Sequence, residues 1–156
     1  MAYAVSDAVK QAIKLFQNFD ADTQLAVLWY GYLDIKDQLS PAPAHSAEVT
    51  GTAVYDRIKA LDPNQQLQAQ RDIANHADTP ISREYGALSS SGKLEVWLLL
   101  AQGIESGDII AVPDDYKLPE KTETLVNTIQ STDFEQRINF TRSVVDEMGF
   151  SPVTAG

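Results

Sequence analysis

The stretch from Thr23 to Asp34, T-Q-L-A-V-L-W-Y-G-Y-L-D, constrains this chain most, because its pattern suits only a helix. Leu25, Leu28, Trp29 and Tyr32 recur at i, i+3, i+4 and i+7, the spacing of one helical face. Ala26, Val27, Tyr30 and Leu33 line the other side, and a helix apolar nearly all round is expected to be buried. Gly31 stands mid-helix, where glycine costs roughly 1 kcal/mol relative to alanine. Between two tyrosines it removes a side chain where something bulky can approach the backbone. Two readings follow: a core helix that admits a neighbour at Gly31, or the wall of a ligand site. Aromatic stripes are more often core.

The rest of the chain carries the same period. Ser6 can cap a first helix with Val9, Ile13 and Phe16 inward. Asp20 or Asp22 suits the cap of the central helix, which should run to about Gln38 and stop before Pro41. A third helix is expected from about Glu48 to Leu61. Asp62-Pro63-Asn64-Gln65 is a helix start, with Asp at the cap and Pro in the first turn. The fourth helix, about Asn64 to His76, has few apolar residues and should lie at the periphery. Thr79-Pro80 opens a short piece through Tyr85.

From about Lys93 to Ser106, Leu94, Trp97, Leu98, Ala101 and Ile104 mark a second buried helix, which Gly107 ends. Ile109 to Pro113 reads as a buried connector, since no strand partner is evident. A helix from about Glu120 to Gln130 follows. Thr132-Asp133-Phe134-Glu135 reads as a capping box for the last helix, which runs to Met148 with Gly149 as a left-handed stop. Ile138, Arg142 and Val145 share one of its faces. The expectation is an all-α chain of seven or eight helices. Residues 1–150 form one domain, and 151–156 a frayed tail.

The 156 residues suffice for one domain of roughly 15 Å radius of gyration, with a real core and space for a cleft. The formal net charge of -10, from 12 basic and 22 acidic residues, argues against nucleic acid or an anionic membrane as a partner. No cysteine occurs, which suits a reducing cytosol, and no signal peptide is visible. The longest purely apolar run, Val96 to Ala101, is far too short for a membrane span.

The only histidines, His45 and His76, lack ligand spacing, and Asp114-Asp115 lacks the pattern of a calcium loop. No phosphate loop, dinucleotide fingerprint or nucleophile elbow occurs, and Ser89 to Ser91 suit a helix cap better than a nucleophile. The chain is therefore not expected to be an enzyme.

What remains is two apolar helices carrying Trp29 and Trp97, a lining that suits a long hydrophobic ligand. Burying on the order of 500 Å² of apolar ligand at about 25 cal/mol per Å² stabilises by roughly 12 kcal/mol. Association and ordering cost about 4–15 kcal/mol, so tight binding requires a pre-formed cleft.

Four segments carry a family resemblance: Q-L-A-V-L-W-Y-G-Y-L (Gln24 to Leu33), D-I-A-N-H-A-D-T-P (Asp72 to Pro80), K-L-E-V-W (Lys93 to Trp97) and V-V-D-E-M-G-F (Val144 to Phe150). In order and over nearly the whole chain, they resemble the N-terminal domain of the cyanobacterial orange carotenoid protein. The match is best to its stand-alone homologues, the helical carotenoid proteins. The family's C-terminal regulatory domain has no counterpart in the sequence, and the N-terminal arm looks shorter.

The resemblance implies two interleaved four-helix bundles around one ketocarotenoid, such as canthaxanthin or echinenone. It also implies photoprotection, by quenching singlet oxygen or excited pigment. By matching motif, Trp29 and Tyr32 correspond to aromatic residues on the pigment, and Trp97 to the partner of Tyr32 at an end ring. Leu25, Leu28, Leu94 and Val112 match aliphatic wall positions, and Asn139 and Val145 match tunnel positions on the last helix. Arg142 matches an arginine that bridges to the regulatory domain or to the light-harvesting antenna. Gln70 and Ile104 stand where the family often has methionine, Leu98 where it has an aromatic, and Glu95 where it has a small residue. The implied location is cytoplasmic, near thylakoid-bound phycobilisomes.

Three readings are carried forward. The chain is a carotenoid-binding photoprotective protein, or a module that takes pigment from a C-terminal-domain homologue or docks on the phycobilisome, or a ligand-free scaffold whose aromatics are plain core.

Overall fold

The computed structural model describes residues 6–36, 49–113 and 117–150. Within them the regular structure is all helical, eight helices and no strand. They are α1 (Asp7–Gln17), α2 (Ala21–Ile35), α3 (Val49–Lys59), α4 (Pro63–Ala74), α5 (Pro80–Gly86), α6 (Ser90–Ser106), α7 (Glu120–Gln130) and α8 (Phe134–Asp146). His45, the Ser40–Ala44 connection, Asp114, Asp115, Tyr116 and the 151–156 tail fall outside the described residues.

Short polar side chains start most of these helices. The Ser6, Asp20, Asp62, Thr79, Ser89 and Asp133 side chains each accept a bond from the backbone N–H three residues on. Each satisfies a donor that the first turn leaves without a partner. Two starts differ from expectation. Ser89, one of the expected caps, starts α6 three residues before Lys93, so Ser90, Ser91 and Gly92 form its first turn. Asp133 caps α8 one residue later than Thr132 would, because its carboxylate reaches the Gln136 N–H at 2.9 Å.

The helices pack in two sets. α1, α2, α7 and α8 contact one another, with the Phe16 and Phe140 rings edge to face at 5.9 Å. α3, α4, α5 and α6, which lie between them in sequence, form the other set. The sets meet where α2 touches α4 and α6, and where α6 touches α8. Arg71 of α4 ties the first of these contacts, its Nε and Nη2 donating to the two Asp22 carboxylate oxygens at 2.6 and 3.2 Å.

α4 is not peripheral. Its thin apolar pattern misleads because Gln66 and Gln70 are buried alongside Ile73. Both amides bond to backbone. The Gln66 Oε1 accepts from the Ile110 N–H at 3.0 Å, and its Nε2 donates to the carbonyls of Lys59 and Asp108. The Gln70 Nε2 donates to the Ile110 carbonyl at 3.0 Å. A buried amide costs little when its bonds are made, so the two glutamines dock the Asp108–Ile110 connector onto α4.

After α8 the chain turns at Gly149, whose φ of 85° is left-handed as expected. Gly149 does not cap α8, however, which ends at Asp146 with Glu147 at its cap. Its N–H donates instead to the Ile73 carbonyl at 2.8 Å, and the Phe150 N–H donates to the Ser82 carbonyl at 3.1 Å. His76 holds the same segment, its Nδ1 lying 3.0 Å from the Gly149 carbonyl. The Gly149–Phe150 strap thus fastens the end of α8 to α4 and α5. It passes so close to Gly86 that a Cβ there would overlap the Phe150 carbonyl. Gly86→Ala is expected to destabilise the fold by about 1–3 kcal/mol, the usual cost of overpacking, read as a lower urea midpoint. An unchanged midpoint would show that the strap moves aside freely.

Candidate functional site

Two adjoining cavities lie where the helix sets meet. The first, about 490 Å³ with its solvent-open part included, is walled by Leu25, Leu28, Trp29, Tyr32 and Ile35 of α2, Gln70 of α4 and Thr141 of α8. Leu94, Trp97, Leu98, Leu100, Ala101 and Ile104 of α6 complete it. The second, about 600 Å³ on the same measure, is bounded by Ala26, Tyr30, the connector residues Ala111, Val112 and Pro113, and Leu118. Leu25, Trp29, Gln70 and Ile104 border both, so these four side chains stand between the two cavities.

This arrangement overturns the expectation that α2 is buried all round. Leu28, Trp29 and Tyr32 are only partly buried, because they face the cavity instead of another helix. Tyr30 and Leu33 on the opposite side are 40% and 38% exposed, so α2 has open apolar surface on two sides. Gly31 does not admit a crossing helix either: a Cβ there would meet Thr141 Oγ1 of α8 at an ordinary 3.8 Å.

The aromatic residues are fixed in two ways. Trp29 and Tyr32 stack on each other, centroids 5.8 Å apart and planes 27° apart. Trp97, on the facing wall, is held from behind by Tyr85 of α5. The Trp97 Nε1–H donates to the Tyr85 hydroxyl at 2.9 Å, and that hydroxyl donates to the Val145 carbonyl of α8 at 2.5 Å. The two rings meet edge to face at 6.3 Å. Burial, the largest influence, pushes the Tyr85 phenol well above its ordinary pKa, so it stays a donor.

At the Tyr32 end the polar groups are grouped. The Tyr32 hydroxyl donates to Glu105 Oε1 at 2.6 Å, and Lys36 Nζ lies 2.7 Å from Glu105 Oε2. The hydrogen bond from Lys36, and then that from Tyr32, hold this carboxyl below the ordinary glutamate range.

The structure therefore gathers Leu25, Leu28, Trp29, Tyr32, Gln70, Leu94, Trp97, Leu98 and Ile104 around the first cavity, with Val112 at the second. It places Asn139, Arg142 and Val145 elsewhere. Val145 is fully buried with its carbonyl on Tyr85, and Asn139 is buried with its carbonyl accepting from Ser143 Oγ at 2.7 Å. Arg142 stands on the exposed edge of α8. The α8 residue in the wall is Thr141. Sequence reasoning missed Tyr85, Glu105 and Gln66. The one trace of Tyr85 is an aromatic in the otherwise polar run S-R-E-Y. Among the described residues no cluster of three or more metal-ligating side chains occurs, and no helix is long and apolar enough to cross a membrane.

Comparison with known proteins gives a consistent result. The sequence model described as the N-terminal part of orange carotenoid protein matches residues 2–151. An orange carotenoid-binding domain-containing protein of Nostoc sp. is 36% identical over 148 residues, covering 94% of this chain and 86% of that one. The orange carotenoid-binding protein of Synechocystis sp. is 34% identical over 147 residues, 94% of this chain but 46% of the relative, so the chain spans about half its length. Among solved structures, the red carotenoid protein of Anabaena (Nostoc) sp. binding canthaxanthin superposes with a TM-score of 0.78 at 34% identity. That match covers 92% of this chain and 99% of the other.

Tyr85→Phe is expected to cost about 1–3 kcal/mol, because it leaves the buried Trp97 N–H without its acceptor. Urea unfolding followed by tryptophan fluorescence measures this, and a cost within error of zero would show the relay to be replaceable.

Proposed function

The chain belongs to the orange carotenoid protein N-terminal family, and from that membership we propose that it binds one ketocarotenoid along the two adjoining cavities and serves photoprotection. Residues 1–150 would form the binding domain. The observation that carries this reading is the open apolar face of α2. Leu28, Trp29 and Tyr32, left only partly covered along the first cavity, are surface a folded protein normally covers.

The lining fits a long polyene. The first cavity's wall is almost wholly aliphatic or aromatic, with Gln70, Thr141, the Tyr32 hydroxyl and the indole N–H groups of Trp29 and Trp97 as its side-chain polar groups. The Gln70 Nε2 is spent on backbone carbonyls, and the Tyr32 hydroxyl is spent on Glu105. Aromatic faces against a conjugated chain add roughly 0.5–1.5 kcal/mol per contact beyond buried area. The chain's residues hold the ligand, keep water from it and fix its orientation. When bound, the polyene supplies low-lying excited states that take up energy from singlet oxygen or an excited pigment and release it as heat. Canthaxanthin, the ligand of the similar red carotenoid protein, is the first candidate.

A second role is favoured by the exposed position of Arg142. Through it the chain would dock on the phycobilisome at the thylakoid surface, or on a C-terminal-domain homologue that donates pigment. Arg142→Glu is then expected to abolish quenching of isolated phycobilisomes while the bound pigment spectrum stays unchanged. Quenching retained by Arg142→Glu excludes docking through this residue.

Co-expression with a ketocarotenoid supply should give a soluble orange to red protein. Trp29→Ala should lose most of its pigment yet unfold at a similar urea concentration. Trp29 is only partly buried, so its loss should cost less than the roughly 3–5 kcal/mol of a core tryptophan. A colourless wild type from pigment-making cells would overturn the reading, as would a Trp29→Ala protein with a full complement of pigment.

A further inference from the structure

The polar group at the Tyr32 end of the first cavity has no part in the ligand wall, yet it is built around a residue that does. Tyr32 and Lys36 stand one helical turn apart on α2 and reach the same carboxylate, Glu105 of α6, through different oxygens. Each Glu105 oxygen therefore has its own donor from α2. α2 and α6 touch each other sparingly, since the cavity lies between them. Direct packing from α6 consequently does little to set the Tyr32 ring, and the hydroxyl bond to Glu105 ties that ring to α6. An O–H to carboxylate bond of 2.6 Å is of the short, charge-assisted kind.

We propose that Glu105, neutralised by Lys36, is a positioning residue for the pigment site: it keeps Tyr32 stacked on Trp29 with its hydroxyl turned out of the passage. This rests on the carotenoid reading above and adds a statement about recognition. At this end the site meets the pigment's end ring with aromatic and aliphatic surface. The Tyr32 hydroxyl, already engaged, does not read an oxygen on that ring. The oxygen function of a ketocarotenoid is thus left unrecognised by Tyr32, and the fit here depends on ring shape.

The test uses the full chain co-expressed with canthaxanthin, as wild type, Glu105→Leu, Glu105→Gln, Tyr32→Phe and the Tyr32→Phe/Glu105→Leu double variant. Three quantities are read: the absorption maximum and band shape, the pigment-to-protein ratio after extraction, and the urea midpoint. Glu105→Leu should shift the absorption maximum and lower the pigment ratio, with little change in midpoint because Glu105 is exposed. Glu105→Gln keeps an acceptor for the phenol and should restore the wild-type spectrum. In the Tyr32→Phe background, Glu105→Leu should add no further shift. A Glu105→Leu protein with the wild-type spectrum and pigment ratio overturns the proposal. So does Glu105→Gln behaving like Glu105→Leu, or a full Glu105→Leu shift that persists without the Tyr32 hydroxyl. A wild type that takes up no canthaxanthin overturns the carotenoid reading itself, and this proposal with it.

Discussion

One buried hydroxyl, that of Tyr85, ties three helices together at the point where α6 turns Trp97 into the cavity. It accepts from an indole N–H and donates to a backbone carbonyl, so the indole N–H that burial would otherwise leave unpaired is satisfied. Around it the fold closes. The Gly149–Phe150 strap crosses close to the Tyr85 ring and to Gly86, and bonds back to α4 and α5. The Lys93 ammonium lies 5.8 Å from the centre of the same ring and donates to the Asp146 carbonyl. The rear of the cavity wall is therefore dense and fully bonded, and its front faces open space.

That contrast answers a problem any ligand-filled passage poses. A close-packed core positions its elements by contact, but helices lining a void have no neighbour on that side. Here directional bonds take over that task. Gln66 and Gln70 fix the connector that carries Val112, Arg71 grips Asp22 with two bonds, and Glu105 receives Tyr32 and Lys36. The exposed links among these contribute little to stability individually, about 0–1 kcal/mol for a surface ion pair. Their value lies in geometry, because they fix the elements that carry the wall residues.

The helices themselves were legible in the sequence. Spacing and caps located all eight to within a few residues, since capping is a local event between a side chain and a backbone N–H a few positions on. The Trp29 and Trp97 stripes were legible as well, and so was the pairing of α2 and α6 as the two aromatic helices. The depth of α4 was hidden, because a glutamine reads as polar until a distant carbonyl is known to meet it. Tyr85 and Glu105 were hidden for the same reason. Their partners lie 12 and 60 residues from Tyr85 and 73 and 69 from Glu105, and no period in the sequence records such a meeting.

The all-round apolarity of α2 shows where sequence reasoning stops for a physical reason. Burial under neighbouring helices and burial under a ligand demand the same residues, since both remove apolar surface from water at about 25 cal/mol per Å². Pattern alone therefore cannot separate a core helix from a ligand wall. Coordinates can, because a core stripe is shielded by protein atoms and a ligand stripe is not. Leu25 and Val27 are shielded, whereas Leu28, Trp29 and Tyr32 are only partly so. Exposure changes within a single turn of one helix, at the edge of the cavity, and that gradient is what a site built for a long apolar ligand should leave in the protein.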